Sequence, residues 1–117
     1  MKDDDLTPDQ IQALREFIAV EVMKLEESRG MYWIGSKWVD KIYFLPDLDH
    51  EQCFMALDTF GVDTLIKIYR HSDSSHQVSI LKPDSTEPFY NTIGIGFADS
   101  FCLAACLAMT RARGYEI

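Results

Sequence analysis

The chain has 117 residues, of which 47% are hydrophobic and 26% charged, and its formal net charge is −8. That length suits one domain over residues 1–117 with a core of its own, and the composition is that of a globular chain. The acidity counts against direct nucleic-acid binding, which needs clustered Lys and Arg, and no apolar run reaches the ~18 residues of a membrane span.

The acidic start, Met1 to Asp5, lacks the apolar core of a signal peptide. Thr7-Pro8-Asp9-Gln10 then opens a helix: Thr7 caps, Pro8 suits the first helical position, and Gln10 closes a capping box. Ile11, Leu14, Ile18, Val22 and Leu25 follow at helical spacing, with Ala13 and Phe17 widening the stripe. Gly30 is the expected C-cap, so this helix is predicted from Pro8 to Ser28. Met31 to Leu45 is rich in aromatics and broken by Gly35-Ser36. It reads as a loop or extended arm, with Lys37 to Phe44 a candidate strand. Pro46-Asp47-Leu48-Asp49 reads as a turn and cap, Asp49 pairing with Gln52 at the start of a second helix. Cys53, Leu57 and Phe60 share its face, Phe54 and Ala56 lie adjacent, and Gly61 ends it.

Leu65, Ile66, Ile68 and Tyr69 belong to a β-rich run, and Ser72 to Ser75 is turn chemistry. Val78 and Ile80 alternate with Gln77 and Ser79 as a half-buried strand, and Pro83 to Pro88 makes a second turn. In the last strand, Phe89, Asn91, Ile93, Ile95 and Phe97 form one face. Tyr90, Thr92, Gly94 and Gly96 form the other, where small residues admit a close neighbour. A terminal helix runs from Ser100 to Arg113 and stops at Gly114. It is apolar almost all round, so it must be covered on most sides. The predicted class is α+β: an antiparallel three- to four-stranded sheet sandwiched by helices, an α-β-α sandwich.

Three segments carry a family likeness. They are Phe17-Ile18-Ala19-Val20-Glu21-Val22-Met23-Lys24, the capped helix from Asp49 to Phe60, and the run from Ala98-Asp99-Ser100 to Ala108. With them the chain resembles the phage ABA sandwich family, small α-β-α domains encoded by bacteriophages and prophages. The family often has Pro where this chain has Cys102. The resemblance implies a phage origin and a cytoplasmic setting in the host cell, and it carries no site residue with it.

The chemistry-bearing residues favour no catalytic centre. Cys102 and Cys106 lie one helical turn apart, and His50-x-x-Cys53 has similar spacing. Structural zinc draws four ligands in paired sets, so three thiols in apolar helices read as reduced core cysteines, with no metal and no cofactor expected. His71 and His76 flank the Ser72–Ser75 turn, but a triad needs an oriented base and an oxyanion site. Gly94-Ile95-Gly96 before a helix lacks the third glycine and the following strand of a dinucleotide fold.

The expected activity is therefore binding. Acids outnumber bases in residues 1–30 and again in 40–63, an acidic surface suited to a basic partner. Tyr32, Trp33 and Trp38 are expected to anchor it, with Asp47, Asp49 and Glu51 supplying charge. The leading expectation is a non-enzymatic phage accessory protein that binds a basic host protein, in its most specific form an inhibitor of a host defence or nucleic-acid-handling enzyme. The alternative is a binder of a small nucleotide-like ligand, using aromatics of residues 31–45 with Lys37 and Lys41. A homodimer is expected, because the meander's edge strands need cover.

Overall fold

A computed structural model describes residues 6–60, 64–83 and 90–115. Helix α1 (Pro8–Phe17) starts with the expected reciprocal cap: Thr7 Oγ1 accepts from the Gln10 amide at 3.1 Å, and Gln10 Oε1 accepts from the Thr7 amide at 2.8 Å. The helix does not reach Ser28. It widens into a π turn over Ile18–Val22, where the Met23 amide donates to the Ile18 carbonyl at 2.8 Å, and Lys24 leaves it with a left-handed φ of 53°. Leu25 still packs on the core, from the segment that follows the helix, its amide donating to the Ala19 carbonyl at 2.9 Å. The i, i+3 spacing of Val22 and Leu25 fits both routes, which is why periodicity overran the helix.

Residues 27–40 form a small antiparallel sheet instead of an arm: β1 (Glu27–Ser28), β2 (Met31–Ile34) and β3 (Lys37–Asp40). Gly30 caps no helix. With Arg29 it makes the first hairpin turn, both residues holding positive φ (51° and 75°), the requirement of a type I′ turn. A 3₁₀ turn (Lys41–Tyr43) and then α2 (His50–Asp58) follow, with Asp49 accepting from the Gln52 amide at 3.1 Å. The predicted stop Gly61 lies outside the described residues.

The second sheet is the expected meander, β4 (Leu65–Arg70), β5 (His76–Pro83) and β6 (Tyr90–Ala98), paired antiparallel in that order. Most of the Pro83–Pro88 turn, and Phe89, lie outside the described residues. Val78 and Ile80 are fully buried on one face beside Gly96 and Gly94. The alternation slips once. A bulge lets Ile80 pair with Gly94 while Leu81 pairs with Thr92, so Ile93 is the extra residue. Thr92 therefore joins Leu81 and Ile95 on the opposite face rather than Gly94.

Helix α3 (Phe101–Ala112) lies on the Val78–Ile80 face, capped by Ser100 Oγ to the Leu103 amide at 3.2 Å and ended by Gly114 with φ 85°. A Cβ built on Gly94 would lie 2.2 Å from the Ala108 carbonyl oxygen, so sheet and helix backbones meet directly. The outer side of α3 takes α1, its π turn and α2. This burial on two sides is why the helix needs no polar stripe. The α+β class and the three-stranded antiparallel sheet are as expected, and α3 is the middle layer. Among the described residues no helix is long and apolar enough to cross a membrane.

Candidate functional site

Alternation along β2 sorts the aromatic segment into two roles. Tyr32 and Ile34 point inward and are buried, while Trp33 points out. Tyr32, at 2% exposure, is core: its ring meets Phe44 edge-on at 5.4 Å, and Lys41 Nζ sits 5.1 Å from its centroid. Burial pushes its phenol above the usual range. This removes Tyr32 from the exposed anchors expected from sequence. Trp33 and Trp38 are cross-strand partners, 38% and 42% exposed, with rings 5.3 Å apart and edge-to-face.

The inner side of the same hairpin faces α2 across a cleft of about 540 Å³. Ile34, Val39 and Met55 give it apolar walls, and Tyr43, Lys37, Asp49, Glu51 and Gln52 complete it. Gln52 fixes this shape. Its Oε1 accepts from the Leu45 amide at 2.6 Å, and its Nε2 donates to the Tyr43 carbonyl at 3.0 Å, tying the 3₁₀ turn to α2. Asp49 and Glu51 are thus brought to one cleft, as surface acids.

Asp47 is elsewhere. It is 4% exposed, and Arg15 grips both its oxygens, Nε to Oδ1 at 2.7 Å and Nη2 to Oδ2 at 3.0 Å. The fork also raises the Arg15 pKa, chiefly through this hydrogen bond. A carboxylate held this way joins α1 to the turn before α2 and is not offered to a partner. In sequence Asp47 looked like its neighbour Asp49, since the distant Arg15 leaves no local signal.

The other candidates assemble no acid–base centre. His71 Nε2 lies 2.8 Å from Gln77 Oε1, and His76 Nδ1 lies 3.2 Å from the Asp99 carbonyl. Asp73 Oδ1 accepts from both the Ser75 amide and Ser75 Oγ, a turn-closing pattern. His50 stacks on Phe101, with 6.5 Å between centroids. Sequence placed Cys53 in one helix and the Cys102–Cys106 pair in another, and the fold brings the two together at the α2–α3 contact. All are buried and free, and the Cys53 thiol interacts with Cys106 and Cys102. Those interactions lower the Cys53 pKa, while burial first, and then Cys53, pushes Cys102 up to about 12. No group of three or more His, Cys, Asp or Glu among the described residues is arranged to hold a metal ion.

Among the described residues lie two further recesses of note. One of about 260 Å³ is lined by Ser28, Arg29, Met31 and Trp38, smaller than the roughly 300–1,000 Å³ of ligand pockets. Of the two bases expected to serve a small ligand, Lys41 is ion-paired with Glu27 and Lys37 lines the larger cleft. The other, about 440 Å³, lies on the face of the second sheet away from α3, with Lys67, Tyr69, Gln77 and Ser79 among its walls.

No family model and no curated protein matches the chain. The crystal structure of a phage protein from Bacillus cereus ATCC 14579 is similar to it, with a TM-score of 0.60 and 12% sequence identity. The match covers 96% of this chain and 97% of that one. At that identity the likeness is one of fold.

Proposed function

We propose that this chain is a phage or prophage accessory protein that works by binding a host protein rather than by catalysis, with inhibition of a host defence or nucleic-acid-handling enzyme as its most specific form. The fold-level likeness to a phage protein supports the phage setting. The finer placing, in the phage ABA sandwich family, rests on the three sequence segments quoted above.

One observation carries the binding reading. The cleft between the β2–β3 hairpin and α2 sets two surface acids, Asp49 and Glu51, beside the apolar side chains of Ile34, Val39 and Met55 and the exposed ring of Tyr43. An apolar floor with acids at its rim suits a segment with an apolar anchor and a Lys or Arg beside it. The matching partner is basic, and cytoplasmic in the host.

The experiment is capture of partners from host lysate on the immobilised protein, followed by binding of the purified candidate. Joint reversal of Asp49 and Glu51 to Lys should abolish capture of the same protein. Retention of that protein by the reversed variant would overturn the cleft as the binding site.

A further inference from the structure

The two edges of the second sheet are finished differently. On the β6 edge, Arg111 reaches from α3 and donates from Nη1 to the Ile95 carbonyl at 2.8 Å. The β4 edge has no such cover: among the described residues β4 pairs only with β5. Five of its six residues are exposed, and they include large apolar side chains on both faces. Ile68, paired with Val78, lies on the α3 side but beyond the helix, and is 54% exposed. Leu65 and Tyr69 are exposed on the other face. An edge with unpaired backbone groups and apolar flanks is a template for another strand.

We propose that β4 pairs with β4 of a second copy about a two-fold axis through Ile68, joining two three-stranded sheets into one of six strands. Geometry selects the register. Along an edge strand only every second residue turns its N–H and C=O outward. A strand pairing with its own copy must match residues of the same outward set, so the axis passes through a residue and not between two. An axis at Lys67 sets two ammonium groups opposite each other, which is unfavourable. An axis at Tyr69 sets Ile68, the exposed isoleucine, against Arg70 of the second copy, whereas an axis at Ile68 brings that arginine only to the half-buried Ile66. An axis at Ile68 buries the exposed isoleucines against each other and sets each Lys67 opposite a Tyr69 ring, a cation–π partner. The antiparallel pairing is self-complementary, as a closed two-fold dimer requires, and a second copy supplies both the Ile68–Ile68 and the Lys67–Tyr69 matches.

One six-residue edge is a small interface, so the dimer is weak and forms at high protein concentration. Each copy carries −8, so added salt should tighten it. Sedimentation velocity of the full chain over a concentration series is expected to show reversible monomer–dimer exchange that strengthens with salt. Ile68→Lys should be monomeric with unchanged circular dichroism. Should that variant fail to fold, Ile68→Cys supplies the second arm. Paired Cα atoms across an antiparallel ladder stand about 4.5–5.5 Å apart, within disulfide reach, so mild oxidation should give a covalent dimer. Trp38→Cys, on the other sheet, should give none. Monomer at every concentration, a dimer unchanged by Ile68→Lys, or no crosslink through position 68 would overturn the proposal. Partner capture by the cleft acids is read separately and does not depend on this result.

Discussion

A Cβ on Gly96 would lie 2.1 Å from the carbonyl oxygen of Ala104. The contact is backbone against backbone, so no rotamer change relieves it. Gly94 and Gly96 on β6, with Ala104 and Ala108 on α3, are the surface on which sheet and helix meet.

Gly96→Ala should therefore be strongly destabilising. Helix and strand must separate to admit the methyl group, at about 1–3 kcal/mol or more for overpacking. Gly35→Ala meets no steric neighbour and strains only a turn with φ 66°, so it should be the milder variant. Urea midpoints of the two measure the difference, and equal midpoints would contradict the close approach.

Leu107→Ala should cost about 2–5 kcal/mol, as for other buried leucines. Leu107 is fully buried between the sheet and the outer layer, whereas Leu103 is only partly buried. Leu103→Ala should thus cost less than Leu107→Ala, and the order is read from denaturation midpoints.

Asp47→Asn should destabilise without altering surface binding. It leaves Arg15 facing a neutral amide in a site where the arginine side chain keeps 21% exposure. Breaking a fully buried pair costs about 3–5 kcal/mol, and partial exposure lowers this to roughly 2–3 kcal/mol. Thermal melts should show the loss, with partner affinity of the folded fraction unchanged.

Tyr32 makes stability fall at alkaline pH. Its folded pKa is raised above 10.0, chiefly by burial. Its contribution is therefore complete below pH 10.0 and lost as pH rises through the folded value. Tyr32→Phe should flatten that alkaline decline in a series of melts from neutral pH to pH 11, while a parallel decline in the variant would assign the effect to other groups.

Binding of a basic partner through Asp49 and Glu51 should weaken with salt. The screening length falls from about 10 Å at 0.1 M to about 3 Å at 1 M. Reversing these acids should slow association, whereas Trp33→Ala or Trp38→Ala should speed dissociation if that outer face also touches the partner. Kinetics at two salt concentrations separate the effects, and an affinity independent of salt would refute the charge mechanism.

Local chemistry made much of the fold legible. Thr7 with Gln10, Asp49 with Gln52 and Ser100 with Leu103 close caps within a few residues, so the starts of all three described α-helices can be read directly. The stripe-free terminal helix and the glycines of β6 foretold a helix pressed on a sheet, because lack of a polar face and lack of side chains are composition-level facts. Tertiary structure decided what depended on distant partners. Glu27–Ser28, the end of the predicted helix, form a strand instead because Tyr32 and Met31 are there to pair with them. Tyr32 went into the core and Trp33 to the surface because β2 alternates against Phe44 and Trp38. Asp47 and Asp49, two positions apart, parted into a buried ion pair and a cleft acid because Arg15, 32 residues from Asp47 along the chain, reaches only the first. A cap or a stripe is a relation among neighbours, whereas a cleft or a buried pair exists only once remote segments have met.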